Sequence, residues 1–365
     1  MADRILVYVG TYTKKEEYVE GKSQGIHIYN LDLSSGALEP ASVTTGIVNP
    51  TFLDIDKEQN YLYSVSEVAE SEGEPTGAIT AFRIDSGNGR LTSLNHQSSR
   101  GPGPCHLSVD ASGKYVLVAN YSGGSVAILP VQEDGSLGEA SDFIQHEGSS
   151  VHPGRQTGPH AHSITLDPGN NYAYSADLGL DKVLIYRIDF ENGKLVPNTP
   201  PYGETAPGAG PRHFAFHPNR KFGYVINELD NTVTIFAYDE TSGSLETIGA
   251  VSTLPDDFDG TSYCADIHIL SSGRYLYGTN RGHDSMVIFE VDADTGMLTT
   301  VGYESTQGEF PRNFAIDPTE TFLFAANQNS DNIVSYRIDQ DSGRLTPTGH
   351  ITEVPTPVCI KMTQT

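Results

Sequence analysis

Gly208-Ala-Gly-Pro-Arg-His-Phe-Ala-Phe-His-Pro-Asn-Arg-Lys-Phe-Gly-Tyr-Val-Ile-Asn-Glu-Leu229 decides the fold. Two apolar runs, Phe214 to Phe216 and Phe222 to Ile226, flank His217-Pro-Asn-Arg, with Pro and Asn where turns favour them. That pattern predicts an antiparallel hairpin. With the turn centred near Asn219, Arg212 falls opposite a residue near Ile226, and Glu228 lies at the same end. A rise of about 3.3 Å per residue lets the two side chains approach each other there.

Variants of this unit recur. Short Gly-x-Leu markers stand at Gly36, Gly89, Gly135, Gly193, Gly243, Gly296 and Gly343, at intervals of 46 to 58 residues. Each sits between two strand-like runs, as a hairpin turn does. Before each marker a first strand leads through a turn to a second, as in Pro50 to Tyr61, Pro104 to Tyr115, Pro159 to Tyr172, Pro211 to Tyr224 and Pro311 to Phe322. The copy at Ser262 lacks the proline. Third strands follow, such as Ala78 to Ile84 and Asn332 to Ile338, and a fourth comes after the glycine. Helical periodicity is absent. Seven such units predict an all-β, seven-bladed β-propeller of four antiparallel strands per blade, a single domain over residues 1–365. The chain starts on a second-strand pattern, Ile5 onward, and ends on a first-strand pattern, Pro357 onward. The two ends are therefore expected to share one blade and close the ring. With no Trp, the chain is not a Trp-Asp repeat propeller.

A net charge of −25 argues against nucleic-acid and anionic-membrane partners, which require positive surface. No apolar run is long enough to span a bilayer, and the N-terminus lacks the parts of a secretion signal, so a cytoplasmic location is expected. Cys105, Cys264 and Cys359 are too scattered for a disulfide or zinc framework. There is no Gly-x-Ser-x-Gly elbow, P-loop or His-Glu-x-x-His. A monomer or small homo-oligomer without cofactor or metal is expected.

Aligning the copies brings out chemistry. Seventeen residues past each first-strand proline stand Glu67, Tyr121, Glu228 and Gln328; the equivalents elsewhere are Arg281, Asp177 and Tyr12. These predict a polar ring where the second strands end. The first-strand starts carry His106, His160, His162, Arg212, His213, Arg312 and Asn313. In a propeller these strands line the central channel, so the groups are expected to converge at one mouth. Clustered arginines in so acidic a chain point to an anionic ligand. His160 and His162, two apart in a strand, are expected to share a face; a metal there would need further ligands. Adjacent Cys105 and His106 would face apart, against a nucleophilic pair. His217 reads as a turn residue and His268 as a buried, hydrogen-bonded one; Asp266 belongs either to the mouth or to a pair with Arg274 or Arg281. Of the polar loops, Glu16 to Gln24 and Glu70 to Gly77 read as solvated surface. Gln145 to Gly158 leads into the His160 motif and reads as part of a site.

Gly208 to Asn219, Val225-Ile-Asn-Glu-Leu229, Ala265-Asp-Ile-His-Ile269 and Gly273-Arg-Tyr-Leu-Tyr277 resemble the seven-bladed propeller lactonase family. That family includes propeller-type 6-phosphogluconolactonases and carboxy-cis,cis-muconate lactonising enzymes. The resemblance implies His162, Arg212, Glu228 and Arg281 as catalytic residues. It further implies hydrolysis of a sugar lactone, with 6-phosphogluconolactone the first choice. Glu228 or His162 would be the general base, and Arg212 and Arg281 would hold the oxyanion and the substrate anion. His106, Tyr121, His160, Asp177, His213, Arg312 and Gln328 are then candidates for binding the substrate. A muconate-type cyclase, a lactonase for unphosphorylated sugars and a non-catalytic binding propeller are the alternatives.

Overall fold

The computed structural model describes residues 4–364; the first three residues of the N-terminal segment read for a secretion signal lie outside it. Among the described residues, twenty-eight strands pair into seven four-stranded antiparallel sheets, with no helix. Blade 1 runs from Leu53 to Ser98, blade 2 from Pro104 to Gln145, blade 3 from Ala161 to Glu204 and blade 4 from Pro211 to Ser252. Blade 5 runs from Tyr263 to Ser305 and blade 6 from Pro311 to Glu353. In blade 7 the C-terminal strand Pro357–Gln364 pairs with Ile5–Thr11, which is followed by Gly25–Leu31 and Leu38–Thr45. The ring therefore closes as the terminal patterns imply, and the N-terminal strand is paired on both sides instead of being left as a free edge. The inner strands pack against one another around the axis. The main apolar clusters join residues of neighbouring blades.

The glycine marker joins blades as well as turning a hairpin. Tyr8, Tyr63, Tyr174, Tyr224 and Tyr277 each donate their hydroxyl to the carbonyl of the marker glycine in the next blade, at 2.7 to 3.0 Å. Those glycines have positive φ, and a Cβ on Gly243 would stand 2.6 Å from the Tyr172 ring. At the opposite end of the unit, Asp56, Asp110, Asp167 and Asp317 each accept the backbone N–H that starts the second strand. His217 replaces that aspartate in blade 4, accepting from Asn219 N and meeting the Gly273 carbonyl, which bears out a turn role.

One feature was not legible in the sequence. In blades 2, 3, 4 and 6 the inner strand slips register by one residue, setting Cys105, His162, Arg212 and Arg312 in β-bulges. Blade 5 skips Ala265 and Asp266 in the same way. A bulge re-aims a side chain and breaks the alternation of faces. Cys105, His162 and Arg312 line a cavity of about 500 Å³ where the inner strands begin. His106, His213, Asp266 and Asn313 line a separate cavity of about 540 Å³ further along those strands. The first-strand groups thus divide between two cavities instead of converging at one mouth.

Candidate active site

Blades 2 to 5 supply one half of the first cavity. Glu228 follows the second strand of blade 4 and is 5% exposed. It binds Arg212 Nε at 3.1 Å, an Arg281 terminal nitrogen at 2.7 Å and an Arg155 terminal nitrogen at 2.6 Å. Burial pushes its carboxyl up, but Arg281, Arg212 and Arg155 overcome that and hold it well below the usual carboxylate range. Burial, Arg281 and Arg312 bring Arg212 down to about 9, which leaves it cationic at neutral pH. Arg212 and Arg281 are further fixed by donating to the carbonyls of Ala265 and Cys264. His162 Nε2 stands 4.0 Å from Glu228. Burial, then Arg212 and His213, hold its imidazole well below the ordinary value, so it is neutral at neutral pH.

Arg155 arrives on the loop of residues 145 to 158, the one whose sequence pointed to a site. Gln156 anchors this loop by donating to Leu178 O at 2.8 Å and Asp181 Oδ1 at 2.7 Å, and Ser150 donates to the same aspartate. His146 bridges Asp177 and Tyr186. So held, Arg155 reaches both Glu228 and the Tyr121 hydroxyl.

Blades 6, 7 and 1 supply the other half. Glu67 accepts from the hydroxyls of Tyr12 at 2.8 Å, Tyr18 at 3.1 Å and Thr51 at 2.5 Å. Arg312 lies over the Tyr12 ring at 5.7 Å, and Gln328 completes this side. Tyr18 and Glu16 also line the cavity, so the loop from Glu16 is not the plain solvated surface its composition suggests.

Five of the seven expected ring positions line this cavity: Glu67, Tyr121, Glu228, Arg281 and Gln328. Tyr12 is fully buried and bound to Glu67. Asp177 does not belong to it. Its carboxylate is fully buried and accepts from the backbone of His160 and Gly179, which makes it a support for the loop. His160 stacks on Tyr121 at 4.6 Å but does not line the cavity, because the bulge at His162 breaks their shared face. His106 and His213 line the opposite cavity, for the reason given above. There Asp266 pairs with His213 Nδ1 at 2.7 Å and His268 Nε2 at 3.0 Å, not with Arg274 or Arg281. His268 is half-buried, 43% exposed at its side chain, because it opens onto that cavity. Among the described residues no cluster suited to a metal ion occurs. Sequence reasoning missed Cys105, whose sulfur lies 3.8 Å from His162 Nδ1, a neighbour across blades rather than along the chain. Burial pushes that thiol well up, so it stays neutral. Arg155 was missed as a residue, although its loop carried the signal.

Comparison with known proteins agrees with this architecture. Residues 6–362 match the family described as Lactonase, 7-bladed beta-propeller. A 6-phosphogluconolactonase of Bacillus subtilis is 42% identical over 97% of both chains. One of Formosa agariphila is 38% identical over 87% of each. The structure of a periplasmic gluconolactonase of Pseudomonas aeruginosa superposes with a TM-score of 0.91 at 35% identity, covering 98% of this chain and 99% of that one. With the fold, the repeat and the full-length match in agreement, the chain belongs to the seven-bladed β-propeller lactonase family and is a lactone hydrolase.

Proposed function

We propose that the chain hydrolyses 6-phosphogluconolactone to 6-phosphogluconate. The observation that carries this reading is one cavity holding a neutral His162 beside a carboxylate clamped by three guanidiniums. Relatives named 6-phosphogluconolactonase along the whole chain support the choice of substrate.

Of the two candidate bases, His162 is the better placed chemically. Three arginines make Glu228 too weak a base to take a proton from water. His162 accepts the proton as water adds to the lactone carbonyl, and nearby Glu228 stabilises the resulting imidazolium. Guanidinium donors not engaged with Glu228 stabilise the tetrahedral oxyanion. The intermediate collapses by breaking the bond from the carbonyl carbon to the ring oxygen, which takes the proton from His162 and leaves as an alcohol. Binding of an anionic substrate would offset the arginines' field and raise the basicity of His162 where it is needed. A phosphorylated substrate fits a cytoplasmic enzyme of the oxidative pentose phosphate route, as do three free buried cysteines.

The test is acid release from fresh 6-phosphogluconolactone above its spontaneous rate, beside gluconolactone and a carboxymuconate. Acceleration of the phosphorylated lactone in preference to the others is expected. Acceleration of gluconolactone alone, or of none, overturns the reading.

A further inference from the structure

Arg155, Arg281 and Arg312 line the cavity, Arg212 is buried against Glu228, and the four are not equivalent. Arg155, Arg212 and Arg281 all pair with Glu228. Arg312 forms no ion pair and donates no hydrogen bond among the described residues; it lies over the Tyr12 ring. Glu67, the carboxylate of that half, already accepts three hydroxyl hydrogens. A half-buried guanidinium that no carboxylate contacts, balanced only at a distance by Glu67 and Glu228, has lost hydration that an arriving anion can restore, most effectively through paired N–H donors to phosphate.

Gln328 adds an independent sign. It is 3% exposed, lines the cavity, and its Oε1 has no hydrogen-bond partner. A buried acceptor left unpaired is costly, and a ligand hydroxyl would satisfy it. Both residues come from blade 6, while the Glu228 cluster comes from blades 4 and 5 and the loop between blades 2 and 3. A cavity of about 500 Å³ can take a substrate whose two ends meet these two sets.

We infer that Arg312 is the phosphate anchor of this cavity and selects a phosphorylated sugar lactone over an uncharged one, with Gln328 accepting a sugar hydroxyl. This rests on the lactonase reading above and assigns the substrate anion to Arg312 instead of Arg212 and Arg281, which hold Glu228.

The test measures kcat and KM on fresh 6-phosphogluconolactone and on gluconolactone for the wild type, R312Q and R312K. Calorimetry on the same proteins compares binding of 6-phosphogluconate with that of gluconate. R312Q is expected to lower the preference for the phosphorylated lactone, as a ratio of kcat/KM values, by roughly 100-fold, mainly through KM. R312K keeps the charge but loses the fork, so a fall of about tenfold is expected. Equal losses on both lactones, or no loss on either, overturn the assignment. If R312Q does not fold, an unchanged preference in R312K does the same. If the wild type accelerates neither lactone, the hydrolase reading fails by itself. The anchor is then judged on binding: a preference for 6-phosphogluconate lost in the variants upholds it, and one that is unaltered or absent in the wild type sinks it.

Discussion

Glu228 and His162 differ in what each contributes, and substitution separates them. His162→Asn removes the proposed base but leaves the Glu228 clamp intact. We expect kcat to fall by roughly two to four orders of magnitude, with the melting temperature nearly unchanged. Glu228→Gln leaves Arg155, Arg212 and Arg281 without their common counter-charge. A loss of about 3–5 kcal/mol in stability should accompany its loss of activity, read by denaturant melts beside initial rates. Full activity in either variant removes that residue from the mechanism. The pH profile carries a further check. His162 is held below its ordinary value, so the free enzyme protonates it only at lower pH than an exposed histidine. The acid limb of kcat/KM should therefore lie below about pH 6.5, with the rate flat above it. A limb centred above that value would exclude His162 as the base.

The blade shows which structure was legible in the sequence. The Gly-x-Leu marker was readable because the turn needs positive φ; its contact with the preceding blade was not, since that partner lies a full unit away. Gly243→Ala separates the two demands. It meets the Tyr172 ring at 2.6 Å at a φ of +70°, whereas Gly46→Ala, at +87°, meets nothing within 4 Å. Backbone strain alone should cost Gly46→Ala about 1 kcal/mol, and Gly243→Ala about 1–3 kcal/mol more from crowding. Urea melts measure both, and equal losses would mean that the inter-blade contact is slack. The inner strands give the opposite lesson. Their prolines and polar residues marked the strands that line the two cavities, but strict alternation could not show which group faced which cavity. The bulges at Cys105, His162, Arg212 and Arg312 carry no composition of their own. They separate His162 from His160 and Arg212 from His213, and so account for the misplaced candidates.

At the scale of the molecule, ring closure was legible because the terminal patterns complement each other. The packing of histidines along the axis was not, because it unites residues from separate blades. His106 and His213 have ring centres 5.3 Å apart, and His213 and His162 5.4 Å apart. Burial leads in holding all three below the ordinary value, His213 at about 4, with further lowering from neighbouring cationic groups. The unfolded chain binds these protons near pH 6.5 and the folded chain only lower, so stability is greatest above that pH and falls as acid is added. Each such histidine contributes a slope of up to about 1.4 kcal/mol per pH unit between its two values. Relief of the −25 net charge acts in the opposite direction over the same range, but salt screens that surface term and leaves the buried one. In about 0.5 M salt, denaturant melts should thus show stability declining from pH 6.5 to pH 5. His106→Gln keeps an acceptor for the Ile164 N–H but does not titrate, and should flatten that decline by up to 1.4 kcal/mol per unit, about one histidine's share. An unchanged slope would show that His106 is not among the groups that set the acid limit of this ring.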